Sequence, residues 1–346
     1  MLDLQDESPT DSGNPWQRMI KRSALVAWIV AILFLAALAG TVIHLSEVEH
    51  FTALLSAAQP GWLLVALALQ AGTYASEAAI WRVLLELIGH RQPWSELIRL
   101  SIAKLFADQA IPTSGLSGNV LVVEVLAHRG VPSKSTVSAL VSGIILYFMA
   151  YLLMSILALA ILWDYHVLSR LVIISALILA AVALGLPSAL FLLEQAGWSR
   201  FLGRLAQSRA VAFALTAVND AYPLMRRHPR EMGQAILFQS LIFLLDGATL
   251  WAMLHATGQT TGLMVPIAAF MVGSITASLG PFPLGLGGFE AACTSMLKLL
   301  GVPLEAAFTS TLLLRGFTLW LPMLPGLWLA RREMRRVKQG VVHPEA

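Results

Sequence analysis

Apolar runs long enough to cross a bilayer recur along this chain, at Ala24–Leu45, Trp62–Ile88, Thr136–Trp163, Leu168–Leu193, Met232–Ala256 and Leu304–Leu329. A hydrocarbon layer about 30 Å thick takes about 20 residues of helix to cross, and each run meets that length. Lipid gives backbone N–H and C=O groups no partner, so such runs fold as helices with internal hydrogen bonds. Composition agrees. The chain is 57% hydrophobic and 12% charged, where a soluble domain carries about 25% charge, and mean hydropathy is +0.73. The expected fold is therefore an all-α polytopic membrane protein. Ala24–Leu45 is long, lacks a small-residue cleavage site and is followed by five more spans, so it reads as an anchor helix rather than a signal peptide.

Two further apolar stretches, Leu97–His128 and Leu263–Leu300, are interrupted by "IPTSGLSG" (111–118) and "GPFPLGLGG" (280–288). Each arm beside these breaks is nearer to half a span than to a whole one. Lys and Arg near span ends favour the cytoplasmic side. Arg18, Lys21 and Arg22 place the N-terminus inside, Glu47 and Glu49 mark the next loop as outside, and Arg91 and Arg99 are inside. Arg200, Arg204, Arg209, Arg226, Arg227 and Arg230 share another inside loop, and the tail "RREMRRVK" (331–338) is inside again. The pattern fits only if both interrupted stretches are re-entrant hairpins. The first opens to the cytoplasm, where His128, Arg129 and Lys134 return; the second opens outside, with Lys298 against the rule. The expectation is about six full transmembrane helices plus two re-entrant helical hairpins.

The halves also resemble each other. "LALQAGTYASEAAIWRVLLELIG" (67–89) lies on "ILFQSLIFLLDGATLWAMLHATG" (236–258), matching Gln70 with Gln239, Glu77 with Asp246 and Gly89 with Gly258. "GLSG" (115–118) then matches "GLGG" (285–288), and "GVP" (130–132) matches "GVP" (301–303). With the orientation above, the duplication is inverted, an architecture of secondary transporters. Repeat 1 is expected at about 62–163 and repeat 2 at about 232–330, within a single transmembrane domain over 18–335. A polar N-terminus (1–17) is expected to be disordered, and a cytoplasmic tail covers 336–346. The loop 198–230 opens with "WSRFLGRLAQSRAVAFAL", which reads as an amphipathic helix on an anionic inner leaflet.

A Gly/Pro turn at membrane depth survives only where protein or a water-filled cavity surrounds it. A helix restarting there presents free N–H groups and a positive dipole end, a setting suited to an anionic group such as a phosphate. Pro281-Phe-Pro283-Leu-Gly285-Leu-Gly287-Gly288-Phe-Glu290, with Pro112-Thr-Ser-Gly115-Leu-Ser-Gly118, resembles the paired motifs of the lysylphosphatidylglycerol synthase transmembrane, or flippase-like, family. The resemblance covers roughly residues 20–335. Relatives often carry a charged residue shortly after the first glycines, where this chain has Asn119-Val-Leu-Val. The family implies lipid translocation for members fused to an aminoacyl-transfer domain, and some stand-alone members are linked to hopanoid or glycolipid pathways. No transferase domain is present in these 346 residues, so a stand-alone member without synthase activity is expected.

Ionisable residues within spans are expensive, about 2.5–3.5 kcal/mol at a helix centre on insertion scales, which points to use or pairing. Glu290 follows the second turn and either caps its helix or serves the substrate site. Glu77 and Asp246 are repeat-related, each open to a proton-coupling role or to satisfaction by a neighbouring Ser, Thr or Arg. Arg315 lies halfway along the last span, where it binds a lipid phosphate, neutralises Glu290 or forms a structural pair. Lys104 with Asp108, and Arg82 with Glu86, have i,i+4 spacing and read first as mutual pairs. Glu124 is either lumen-facing or structural, and Gln70 and Gln239 suit bonds between helices. The candidate substrate-binding set is Gly115, Gly118, Gly285, Gly287, Gly288, Glu290 and Arg315. Glu77, Asp246 and Glu290 are the proton-coupling candidates.

Other classes fall away. The net charge of +3 is spread between apolar segments and does not form a nucleic-acid patch. A single Cys and eight His without ligand spacing give no metal motif, and "GLGG" has neither the βα context of a dinucleotide fingerprint nor a following Lys-Ser/Thr. No cofactor and no enzymatic activity are expected. The chain reads as a flippase of the cell inner membrane, with both termini cytoplasmic, moving a phospholipid or lipid-linked head group. The partners expected are membrane lipids, anionic ones foremost, and lipid-biosynthesis enzymes. A small-solute secondary transporter and a non-transporting accessory of a lipid pathway are the alternatives.

Overall fold

The computed structural model describes residues 58–110, 116–167, 225–279, 287–320 and 325–332, with isolated positions at 170–185, 221, 223 and 322. The described residues are helical, with no strand among them. In chain order they form α1 (Pro60–Leu87), α2 (Trp94–Ala110), α3 (Leu116–His128) and α4 (Ser133–Asp164). Then come α5 (Pro229–Ala256), α6 (Met264–Leu279), α7 (Gly288–Leu299) and α8 (Leu304–Arg315), which runs into a π-helical turn, Gly316–Trp320. The span expected at Ala24–Leu45, the polar N-terminus, the amphipathic segment 198–215, most of Leu168–Leu193 and the glycines Gly115 and Gly285 lie outside the described residues.

Three helices, α1, α4 and α5, are long and apolar enough to cross a membrane. Their 28, 32 and 28 residues correspond to roughly 42–48 Å at 1.5 Å per residue. By the same rise α2 and α6, at 17 and 16 residues, reach about 25 Å, and α3 and α7, at 13 and 12 residues, reach about 19 Å. The arms beside both Gly/Pro breaks are thus shorter than the hydrocarbon layer.

The order of lengths in α1–α3 recurs in α5–α7, and so do the joints. The chain leaves α1 through Gly89 (φ +81°) and α5 through Gly258 (φ +82°). Both joints pair the N–H of the next residue with a carbonyl five back: His90 to Leu85 and Gln259 to Leu254. Gly130 and Gly301 close α3 and α7 in the same way, each followed by a Pro that starts the next helix. A left-handed residue at a helix end suits Gly because it has no Cβ to clash. The fourth helices differ. α4 is continuous for 32 residues, whereas α8 gives way to a π turn after Arg315.

At the centre α1 and α5 pack antiparallel. Gln59 N–H donates to Ala256 O at 2.9 Å at one end, and Gly72 receives Leu245 nearer the middle, where a Cβ would meet its Cδ1 at 3.1 Å. Around this pair lie α4, α6 and α8, with α2 on α3 and α6 on α7. Small residues set the closest approaches, as expected where lipid supplies no hydrophobic drive between helices. A Cβ on Gly247 would come within 2.9 Å of Ile267, and one on Gly273 within 3.0 Å of Cys293. Tyr151, fully buried, stacks on Phe243 at 5.0 Å, and its hydroxyl donates to Ser274 Oγ at 2.9 Å.

Candidate functional site

α7 starts at the second Gly-rich turn. Gly287, at φ +80°, caps it, and Glu290 reaches back so that Gly287 N–H donates to its Oε2 at 2.6 Å. This is the carboxylate half of a capping box, favoured by the helix dipole. The other oxygen, Oε1, accepts from Arg315 Nε at 2.6 Å. The pair is well sheltered, with side chains 13% and 8% exposed for Arg315 and Glu290. Phe289 lies under the guanidinium, 4.6 Å from ring centre to Cζ, a favourable cation–π arrangement. Glu290 therefore caps its helix and pairs with Arg315 through its two oxygens. Gly288 opens α7, and a Cβ there would touch nothing closer than Thr276 at 4.0 Å.

The first turn is held differently. Gly118 N–H donates to Asp108 Oδ1 at 2.8 Å, across from α3 to α2. Lys104 Nζ lies 3.6 Å from Asp108 Oδ2 and 3.4 Å from Glu77 Oε1. Trp81 Nε1 donates to the same Glu77 oxygen at 3.1 Å. Lys104 thus serves two carboxylates rather than Asp108 alone and ties α1, α2 and the start of α3 together. Sequence reasoning missed the Asp108–Gly118 bond and, with it, a charged residue for the first turn. The signal was present: Asp108 is the last charged residue before the break, three residues ahead of "IPTSGLSG".

Asp246 has different company. Gln70 Nε2 donates to its Oδ1 at 2.9 Å and to Thr249 Oγ1 at 3.0 Å, so Gln70 bonds between helices as expected, with Asp246 and Thr249 as its partners. Glu77 and Asp246, equivalent in sequence, are consequently not equivalent in surroundings. Lys104 and Trp81 meet Glu77, and Gln70 meets Asp246, in place of the Ser, Thr or Arg of the structural alternative. Arg82 and Glu86 pair at 3.2 Å on an exposed face, joined by Arg91 at 3.8 Å. Glu124 is exposed and borders a cavity of about 510 Å³ between α3 and α4 with Asn119, His128 and Ser133. Among the described residues no group of His, Cys, Asp and Glu is placed to hold a metal ion, and Cys293 is a buried free thiol.

The arrangement brings Gly287, Gly288, Glu290 and Arg315 into one cluster and Gly118 into a second, with Asp108, Lys104 and Glu77. In each, a backbone N–H at the start of a short helix and a cation converge on one carboxylate. Such a convergence of donors suits carboxylate or phosphate oxygens. A comparison with curated proteins returned no match. A family model matches residues 26–326, almost the whole apolar part of the chain. The chain belongs to the family described as the lysylphosphatidylglycerol synthase TM region.

Proposed function

We propose that this chain moves a phospholipid, or a lipid-linked head group, between the leaflets of the inner membrane without covalent chemistry. The observation that carries the reading is the convergence of Gly287 N–H and Arg315 on Glu290 at the end of a short apolar helix. An incoming phosphate competes with the Glu290 carboxylate for the same donors, since both are oxyanions recognised by helix N-termini and guanidinium groups. Head groups then pass between the two Gly turns while the tails remain in lipid.

Family membership supports a flippase-like, lipid-related role. The architecture we propose is six full spans with two re-entrant hairpins, α2–α3 and α6–α7. Helices of about 19–25 Å on each side of the breaks support it, because they are too short to cross singly. The recurring helix order and the antiparallel contact of α1 with α5 support an inverted duplication. Both termini are then cytoplasmic, a reading that the Lys/Arg distribution supports.

The test is leaflet exchange in liposomes carrying head-group-labelled phosphatidylglycerol or native lipid extract. Exchange that requires the protein and drops in a folded Glu290→Gln variant is the expected result. No exchange of any lipid by folded protein would sink the reading and leave solute transport, checked by radiolabelled uptake, or an accessory role.

A further inference from the structure

Glu77, Asp108, Asp246 and Glu290 sit within the apolar helical body, and their partners differ, with Asp108 meeting Lys104 and the Gly118 N–H. Glu290 is held by Arg315 and Glu77 by Lys104. Asp246, in the middle of α5, accepts a single neutral hydrogen bond, from the Gln70 amide. Thr249, its neighbour one turn on, spends its only hydrogen on Leu245 O at 2.8 Å, so it donates nothing to the carboxylate. Asp246 is only half-buried, whereas Glu290 is 6% exposed.

We propose that Asp246 is the site where a proton binds and leaves during the transport cycle, while Glu77 and Glu290 keep their cations. The inference rests on the transport reading above and adds its energy source. The step is a simple protonation: an O–H bond forms on the carboxylate when a proton enters from one side and breaks when it leaves to the other.

The surroundings of Asp246 suit both states. An ionised carboxylate within hydrocarbon is expensive, and here no described cation offsets it. In the acid form the Gln70 amide still donates to Oδ1, and the proton sits on the other oxygen. Tyr74, one turn beyond Gln70 on α1, has a buried hydroxyl with no hydrogen-bond partner and so a hydrogen to give. Tyr147 stands on α4, which packs against α5, with its ring 5.8 Å from that of Phe243. The remaining ionisable groups on packed helices are engaged or sit at helix ends. α1 also carries Glu77, held by Lys104. α6 carries none, and α8 carries Glu305 in its first turn and Arg315, held by Glu290. On α5 itself, Glu231 and His255 lie in the first and last turns.

Proteoliposomes with a pH step across the membrane test this. With one proton per lipid, each pH unit drives about a tenfold steady-state asymmetry of labelled lipid. The expected result is that asymmetry in wild type, its loss in Asp246→Asn, and its return in Asp246→Glu. Exchange that ignores the pH step, or a pH response that survives in Asp246→Asn, overturns the proposal and leaves the lipid-transport reading intact. If no lipid moves, that reading fails instead, and infrared difference spectra of the purified protein through an acid–base titration decide the proton site. A carboxyl C=O band that titrates in wild type and is missing in Asp246→Asn upholds it; no such band overturns it.

Discussion

Replacing Glu290 by Gln keeps the side-chain shape and removes the negative charge that Arg315 meets in this sheltered place. Both bonds to the carboxylate are short, 2.6 Å to Gly287 N–H and 2.6 Å to Arg315 Nε. Removing one partner of a buried ion pair costs about 3–5 kcal/mol, because the remaining charge stays desolvated. An opening equilibrium governed by this contact then rises by roughly 10²- to 4 × 10³-fold. The chain carries its own reporter. Cys293, the single cysteine, lies on α7 one turn from Glu290 and is fully buried. A thiol reagent labels it only when α7 separates from α6 and α8, and its rate tracks the open population when reclosing is fast. Glu290→Gln and Arg315→Gln should each accelerate labelling by at least about 10²-fold. The double variant should be slower to label than the worse single one, since no unpaired charge remains. Single variants that label like wild type, or a double variant equal to the sum of the singles, would refute the reasoning.

The remaining predictions concern the first turn and the core. Lys104→Met leaves Glu77 and Asp108 without their shared cation and should destabilise by about 3–5 kcal/mol. Arg82→Met, at an exposed pair, should change stability by at most about 1 kcal/mol; thermal unfolding in detergent compares the two. Gly118→Ala puts a Cβ 2.6 Å from the Asp108 carboxyl atoms and should cost about 1–3 kcal/mol, seen as a reduced folded fraction on size exclusion. Tyr151→Phe removes the bond to Ser274 and should lower stability by about 0.5–1.5 kcal/mol in the same thermal assay.

Much of the helical order was legible because lipid leaves the backbone so few options. The run from Trp62 to Ile88 needed only length and apolarity to be read, and the helix Pro60–Leu87 lies within a few residues of it. The Glu290–Arg315 contact was also open to anticipation. A cation halfway along one span and a carboxylate at a broken helix are each expensive alone, so a pair is the economical arrangement. What sequence could not supply was the choice among several equally spaced partners. Lys104 and Asp108 have the right spacing for each other, but only the rotation of α2 against α1 brings Glu77 to the same ammonium. The internal matching of Glu77 with Asp246 likewise carried no information on which would meet a cation. The π turn Gly316–Trp320 was likewise not anticipated within the apolar run 304–329.

That turn has a mechanical consequence. Before it, Arg315 is pinned to Glu290. Beyond it, Gly326 lies so close to α2 that a Cβ would come within 2.5 Å of Phe106 Cβ. An α-helix advances about 100° per residue, so a change of winding turns every contact beyond it. The wider winding of Gly316–Trp320 changes that advance directly after Arg315. The second half thus carries a slip joint between its turn and its grip on the first half, while in the first half the unbroken α4 serves as a rigid strut.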